Sequence, residues 1–151
     1  VLGDIVANNS QENTISVGNL RYAQTAPTQR KQIRIIPNRD IYITIKTDEC
    51  AVVGHIKDIS LTSVCIRLNN IEKVKTEDRI SGEFNLFKDD KNNKITIEGY
   101  IHDIKKIKNE YFTVVVFTTT KECDKKLSEY ISTQQIETIR EFKNIVNSYT
   151  I

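Results

Sequence analysis

Residues 41–68 read IYITIKTDECAVVGHIKDISLTSVCIRL, and the alternation inside them decides the fold. Ile41, Ile43 and Ile45 alternate with Tyr42, Thr44 and Lys46, the period of a strand with one buried face. A second strand is expected over 52–58. A third follows over 64–68, with Val64, Ile66 and Leu68 on one face and Cys65 and Arg67 on the other. Downstream, residues 69–79 are polar and charged, which predicts a loop. Residues 80–86, 95–104 and 111–117 supply three more strands, the first two separated by the turn-rich Lys88-Asp89-Asp90-Lys91-Asn92-Asn93. Six strands of similar length joined by polar turns predict a mainly β fold, a six-stranded antiparallel barrel.

Beyond residue 118 the period changes. Thr119-Thr120-Lys121-Glu122 fits a capping box, in which a Thr hydroxyl and a Glu carboxylate satisfy the first free backbone amides of a helix. Leu127, Tyr130 and Ile131, then Ile136, Ile139, Phe142 and Val146, recur at helical spacing. The five-residue step from Ile131 to Ile136 breaks the stripe and predicts a bend near Thr133, or two helical pieces. Packing on the chain's own barrel is the expected role of the stripe, with partner binding by the last turns as the other reading.

Upstream, residues 2–7 and 14–20 are weaker strand candidates around a turn at Asn8-Asn9-Ser10. Such a pair buries little apolar surface by itself. The sequence contains no methionine and opens at Val1. We therefore expect a piece of a longer protein, with 1–28 the tail of a preceding domain or a linker and 29–151 the barrel with its C-terminal helix. Ala26-Pro27-Thr28 would form the joint.

Composition narrows the function. Of 151 residues, 38% are hydrophobic and 28% charged, as in a globular domain. The longest apolar run, 114–117, is strand-sized and far short of a membrane span. A formal charge of +2 is too small for bulk attraction to nucleic acid or membrane, so any anion site must come from local placement of Arg and Lys. Cys50, Cys65 and Cys123 are odd in number and lack C-x-x-C spacing, which suits reduced thiols in the cytoplasm. His55 and His102 stand apart from any metal-ligand spacing and read as strand residues.

Two short motifs carry the function. Arg30-Lys31-Gln32-Ile33-Arg34 is an R-x-x-x-R just ahead of the first long strand, and Asp58-Ile59-Ser60-Leu61-Thr62-Ser63 lies at the turn between two strands. Each alone has a plain explanation, a solvated basic linker and a turn capped by Asp and Ser. In this order, 23 residues apart, they resemble the signature of the PilZ family, over about residues 29–143. The resemblance implies a receptor for cyclic di-GMP whose ligand contacts are Arg30, Arg34, Asp58 and Ser60. It also implies that the arginine segment folds across the barrel wall when ligand arrives and moves an attached domain. The chemistry suits that division. An arginine fork pairs bidentately with guanine O6 and N7 or with phosphate. A carboxylate accepts from guanine N1–H and N2–H, and a serine hydroxyl can bond phosphate or orient the carboxylate.

One position departs from the pattern. The family places Gly where this chain has Ser63. A positive φ there would cost serine about 1 kcal/mol, and a ligand pressed on the backbone would meet its side chain. Alternatively, Ser63 itself bonds the ligand. Gln29 stands where a basic residue accompanies an intercalated ligand pair in the family, which points to a single molecule here. Lys31 is either a helper for phosphate charge or a solvated lysine.

A competing reading is a degenerate PilZ-like adaptor, binding protein in pilus or motility machinery and no longer binding nucleotide. A barrel for RNA or single-stranded DNA would need clustered aromatics beside a basic groove, and Tyr42, Tyr100 and Tyr111 are scattered. The sequence has no nucleophile–base ordering, phosphate loop or metal spacing, so neither an enzyme nor a cofactor is expected. The expected partners are cyclic di-GMP, the upstream domain and an unidentified protein.

Overall fold

A computed structural model describes residues 2–9, 14–21, 32–87 and 91–149. They fall into two compact units, one drawn from Val1–Ile33 and Ile136–Ile151, the other from Arg34–Gln135.

In the first unit, β1 (Leu2–Asn9) and β2 (Thr14–Arg21) pair antiparallel, so both weak strand candidates form. Asn8 and Asn9, expected in a turn, belong to β1 instead, paired with Ile15 and Thr14.

The second unit is a closed barrel. Its strands are β3 (Tyr42–Lys46), β4 (Ala51–Ile59), β5 (Ser63–Leu68), β6 (Arg79–Asn85), β7 (Lys94–Ile107) and β8 (Glu110–Thr119). They close in the order β3-β4-β5-β8-β7-β6, every pairing antiparallel. Closure leaves no free sheet edge to recruit another strand. The inward positions of the alternating pattern form the core: Ile43, Ile45, Ile56, Val64, Ile66, Ile95, Ile97, Ile101 and Val115 are essentially inaccessible. Residues 69–78 carry the chain across from β5 to β6. They are not purely polar in role, because Val74 is buried and Ile71 packs against the core.

Helix α1 (Lys121–Ser148) begins one residue later than the sequence pattern indicates. Thr120 is the N-cap: its hydroxyl accepts from the Cys123 amide at 3.2 Å and its carbonyl from the Asp124 amide at 2.8 Å. The Thr119 hydroxyl is drawn off to the Thr96 carbonyl of β7, and Glu122 pairs with Lys126 at 3.0 Å, so no capping box forms. Nor does the helix break near Thr133. A five-residue step turns about 140° around a helix. The buried stripe of Cys123, Leu127, Tyr130 and Ile131 therefore continues through Gln134, while Ile136, Ile139, Phe142 and Ile145 point elsewhere and are exposed. Thr133 donates to the Glu129 carbonyl at 2.9 Å, a bond compatible with unbroken helix. No described helix is long and apolar enough to cross a membrane.

Candidate functional site

Arg34 of the first motif and Asp58 of the second meet at the end of the β4–β5 hairpin. Ile35, just after the second arginine, exchanges two backbone hydrogen bonds of 2.9 Å with Ile59 and is buried. That bridge lays the residues before β3 alongside the end of β4. It brings the Arg34 guanidinium to 3.6 Å from the Asp58 carboxylate, both side chains partly exposed at 24% and 29%. At this separation the pair is held by charge and not by a hydrogen bond. Asp58 Oδ1 is buried and accepts no hydrogen bond among the described residues. That oxygen is the one facing Arg34, so the guanidinium 3.6 Å away supplies its counter-charge without a hydrogen bond.

The turn that follows is built by serine. Ser60 Oγ accepts from the amides of Thr62 and Ser63, at 3.3 and 3.0 Å, and lies 3.0 Å from Ser63 Oγ and 3.3 Å from the Ser63 carbonyl. The Ser60 amide donates to the Ser63 carbonyl at 2.8 Å, closing a tight hairpin. Both serines are buried, at 1% and 7% exposure. Ser60 thus organises the turn, and among the described residues it makes no hydrogen bond to Asp58. Ser63 belongs to β5, opposite Val116 of β8. Among the described residues other than glycine, only Glu77 and Lys108 have positive φ, so Ser63 carries none of the strain that a positive φ would have imposed. Arg30, Gln29 and Lys31 lie outside the described residues.

Because Ser63 is unstrained, Ser63→Gly has no strain to relieve and removes one partner of the Ser60 hydroxyl. We expect a loss of about 0.5–1.5 kcal/mol in stability, read as a lower urea midpoint. A midpoint at or above the parent value would show that the serine pair contributes nothing.

Sequence reasoning missed a β-bulge. Between the pairs Ile56↔Ile66 and Asp58↔Cys65, β4 spends one residue more than β5. Strict alternation would put Lys57 and Asp58 on opposite faces. The bulge leaves both half-buried on the outer side, between the buried Ile56 and Ile59. Cys65 sits across from them. Burial first, then the Asp58 carboxylate, pushes its thiol above the ordinary range, while Arg34 and Lys57 pull it down. The thiol therefore feels all three charges of the site. Elsewhere, two shallow clefts of about 410 and 670 Å³ lie over β3, β6 and β7, with none of the motif residues in their walls. Glu83, in the wall of the first, accepts from Lys94 at 2.9 Å, which lowers that carboxyl below its ordinary range. His55 and His102 are strand residues, His55 bonding Asp40 at 2.8 Å.

Comparison with known proteins adds the following. The sequence pattern of the PilZ domain matches residues 28–133. No curated protein sequence matches the chain significantly. Among solved structures, YcgR from Escherichia coli in complex with c-di-GMP superposes with a TM-score of 0.65 at 13% identity, over 78% of this chain and 50% of that one. The PilZ domain of the same protein with c-di-GMP gives 0.61 at 14% identity, over 76% of this chain and 98% of that one. The Bacillus subtilis inhibitor of motility MotI/DgrA gives 0.61 at 11% identity, over 82% and 55%. The chain thus spans about half the length of YcgR and MotI/DgrA, whereas it covers nearly all of the isolated domain. At these identities the likeness is one of fold.

Proposed function

We propose, from the premise that this chain belongs to the PilZ family, that it is a signalling receptor for cyclic di-GMP and performs no chemistry of its own. The observation that carries the reading is the Arg34–Asp58 pair itself, a guanidinium fork and a carboxylate placed 3.6 Å apart with no hydrogen bond between them, so that each keeps bonding capacity for a ligand. Guanine presents two N–H donors, N1–H and N2–H, that match such an acceptor. Adenine presents only its exocyclic amine beside a bare ring nitrogen. Arg34, with Arg30 from the preceding segment, supplies forks for guanine O6 and N7 or for phosphate. Ser60 and Ser63 hold the turn on which the carboxylate stands, and they join the ligand contacts if the turn opens. Gln29 and Lys31 are secondary contacts at most, with one ligand molecule per domain.

The same geometry supports a relay. The residues before β3 touch the barrel through the Ile35–Ile59 bridge, so a ligand gripping Arg34 and Arg30 together would draw the preceding segment onto the wall of the barrel. An upstream domain or a partner protein would read that movement, within the cytoplasm. YcgR and its PilZ domain are c-di-GMP complexes, which supports the ligand class.

Titration by calorimetry tests the proposal. We expect saturable binding of cyclic di-GMP by the folded protein, and at least tenfold weaker binding of cyclic di-AMP, the difference of about 1–3 kcal/mol that one well-matched base contact provides. Equal affinity for both would remove the guanine-reading role of Asp58. One observation favours the other reading, a protein-binding adaptor without nucleotide: Ser60 and Ser63 bond each other and are buried. A folded sample giving no heat with cyclic di-GMP would support that reading instead.

A further inference from the structure

The β4 bulge places a cation that neither motif contains. Lys57 is the extra residue between the Ile56↔Ile66 and Asp58↔Cys65 pairs, and it shares the outer face with Asp58. It is half-buried, and among the described residues it forms no ion pair, whereas Arg34 already answers to Asp58. A half-buried lysine that no ion pair among the described residues engages can rest its stem on the barrel wall and keep its charge free for an incoming anion. The charges at this spot therefore sum to one net positive, from Arg34 and Lys57 against Asp58. We infer that Lys57 is a further ligand contact, donating its ammonium to a phosphate of the cyclic dinucleotide while Arg34 and Asp58 engage a base. The inference rests on the receptor reading above and adds to it the residue that answers the ligand's phosphate charge.

The electrostatics agree with the placement. The Cys65 thiol, directly across from Asp58, responds to Lys57 as well as to Arg34 and Asp58. All three charges therefore lie within electrostatic reach of that thiol. An ammonium at the end of a four-carbon stem reaches a phosphate without a fixed bonding plane, which suits it to charge neutralisation more than to base reading. Affinity should thus depend on the charge at position 57, and base selectivity should not.

The experiment is a calorimetric titration of cyclic di-GMP and cyclic di-AMP into the parent protein, Lys57→Gln and Lys57→Arg, each at low and at moderate ionic strength. For Lys57→Gln we expect about tenfold weaker binding of cyclic di-GMP, a smaller loss of affinity on adding salt and an unchanged preference over cyclic di-AMP. Lys57→Arg should return affinity to within about threefold of the parent, since charge and reach are kept. Thermal melting of the three proteins should coincide, the side chain being half-exposed. If the parent binds and Lys57→Gln binds equally well at both salt levels, the inference falls while the receptor reading stands. A loss that Lys57→Arg does not restore also overturns it, because the side chain would then matter for the bulge and not for its charge. A parent protein that takes up no cyclic di-GMP overturns both together.

Discussion

Arg34→Ala lowers affinity for cyclic di-GMP by about 1–3 kcal/mol, on the order of ten- to a hundredfold, while the barrel keeps its stability to within about 1 kcal/mol. The two halves of this expectation have separate causes. Arg34 is the one described arginine of the R-x-x-x-R motif, and its fork is the donor that a base edge or phosphate would meet. Its contact within the protein is an ion pair at 3.6 Å with both partners partly exposed, and pairs of that kind add little to stability. What fixes the local backbone is Ile35, through its bridge to Ile59, and that bridge involves no arginine side chain. Calorimetric titration beside a thermal melt separates the two effects. A melting point lowered by ten degrees or more with affinity retained would make Arg34 a structural residue, its task being to neutralise Asp58. Arg34→Lys is the informative companion: it keeps the charge beside Asp58 but loses the fork, so affinity should stay low while stability is that of the parent.

Gly99→Ala is expected to damage the fold itself. A Cβ built on Gly99 would land on the Val116 carbonyl oxygen and lie 2.7 Å from the Phe117 Cα. Both are backbone of the adjoining strand, so no side-chain rotation can make room. Gly99 sits in the stretch of β7 that pairs with β6 on one side and β8 on the other, opposite Ile80 and Phe117. Moving β8 away would disturb both neighbours, because in a closed barrel no strand shifts independently. We expect a loss above about 3 kcal/mol, the range of mutations that force backbone apart in a core, seen as a collapsed urea midpoint. Gly82→Ala is the contrast. Its Cβ would meet only Ile97 and Ile43 side chains, at 3.0–3.3 Å, which can turn aside at about 1 kcal/mol. If both variants unfold at the parent midpoint, β7 and β8 have freedom to separate that the register does not suggest.

The six barrel strands and the helix were legible in the residues because their signals are local. Ile43 and Ile45 must share a face whichever strand lies beside them, and Leu127, Tyr130 and Ile131 must share another once the chain is helical. The motif positions Arg34 and Asp58 could be named for a similar reason: residue type and spacing along the chain match the PilZ pattern. The local signals failed where a neighbour decided. Thr119 left the capping position because the Thr96 carbonyl of β7 was within reach. The helix ran on past Thr133 because its stripe could continue through Gln134, a polar residue that a hydrophobic pattern passes over.

What the sequence by itself determined is the barrel's strand order along the chain, its closing helix and the presence of a family motif pair, all properties of residues close together in the chain. What only the tertiary structure decided is which face each motif residue occupies. Lys57 joins Asp58 on the outer wall because β5 spends one residue fewer than β4 at that point, and no periodicity within β4 alone encodes it. Ser60 and Ser63 turn inward because each is the other's hydrogen-bond partner across the hairpin. Pairing between strands is a property of two segments at once, so a bulge or a buried hydroxyl pair is set by the register of both.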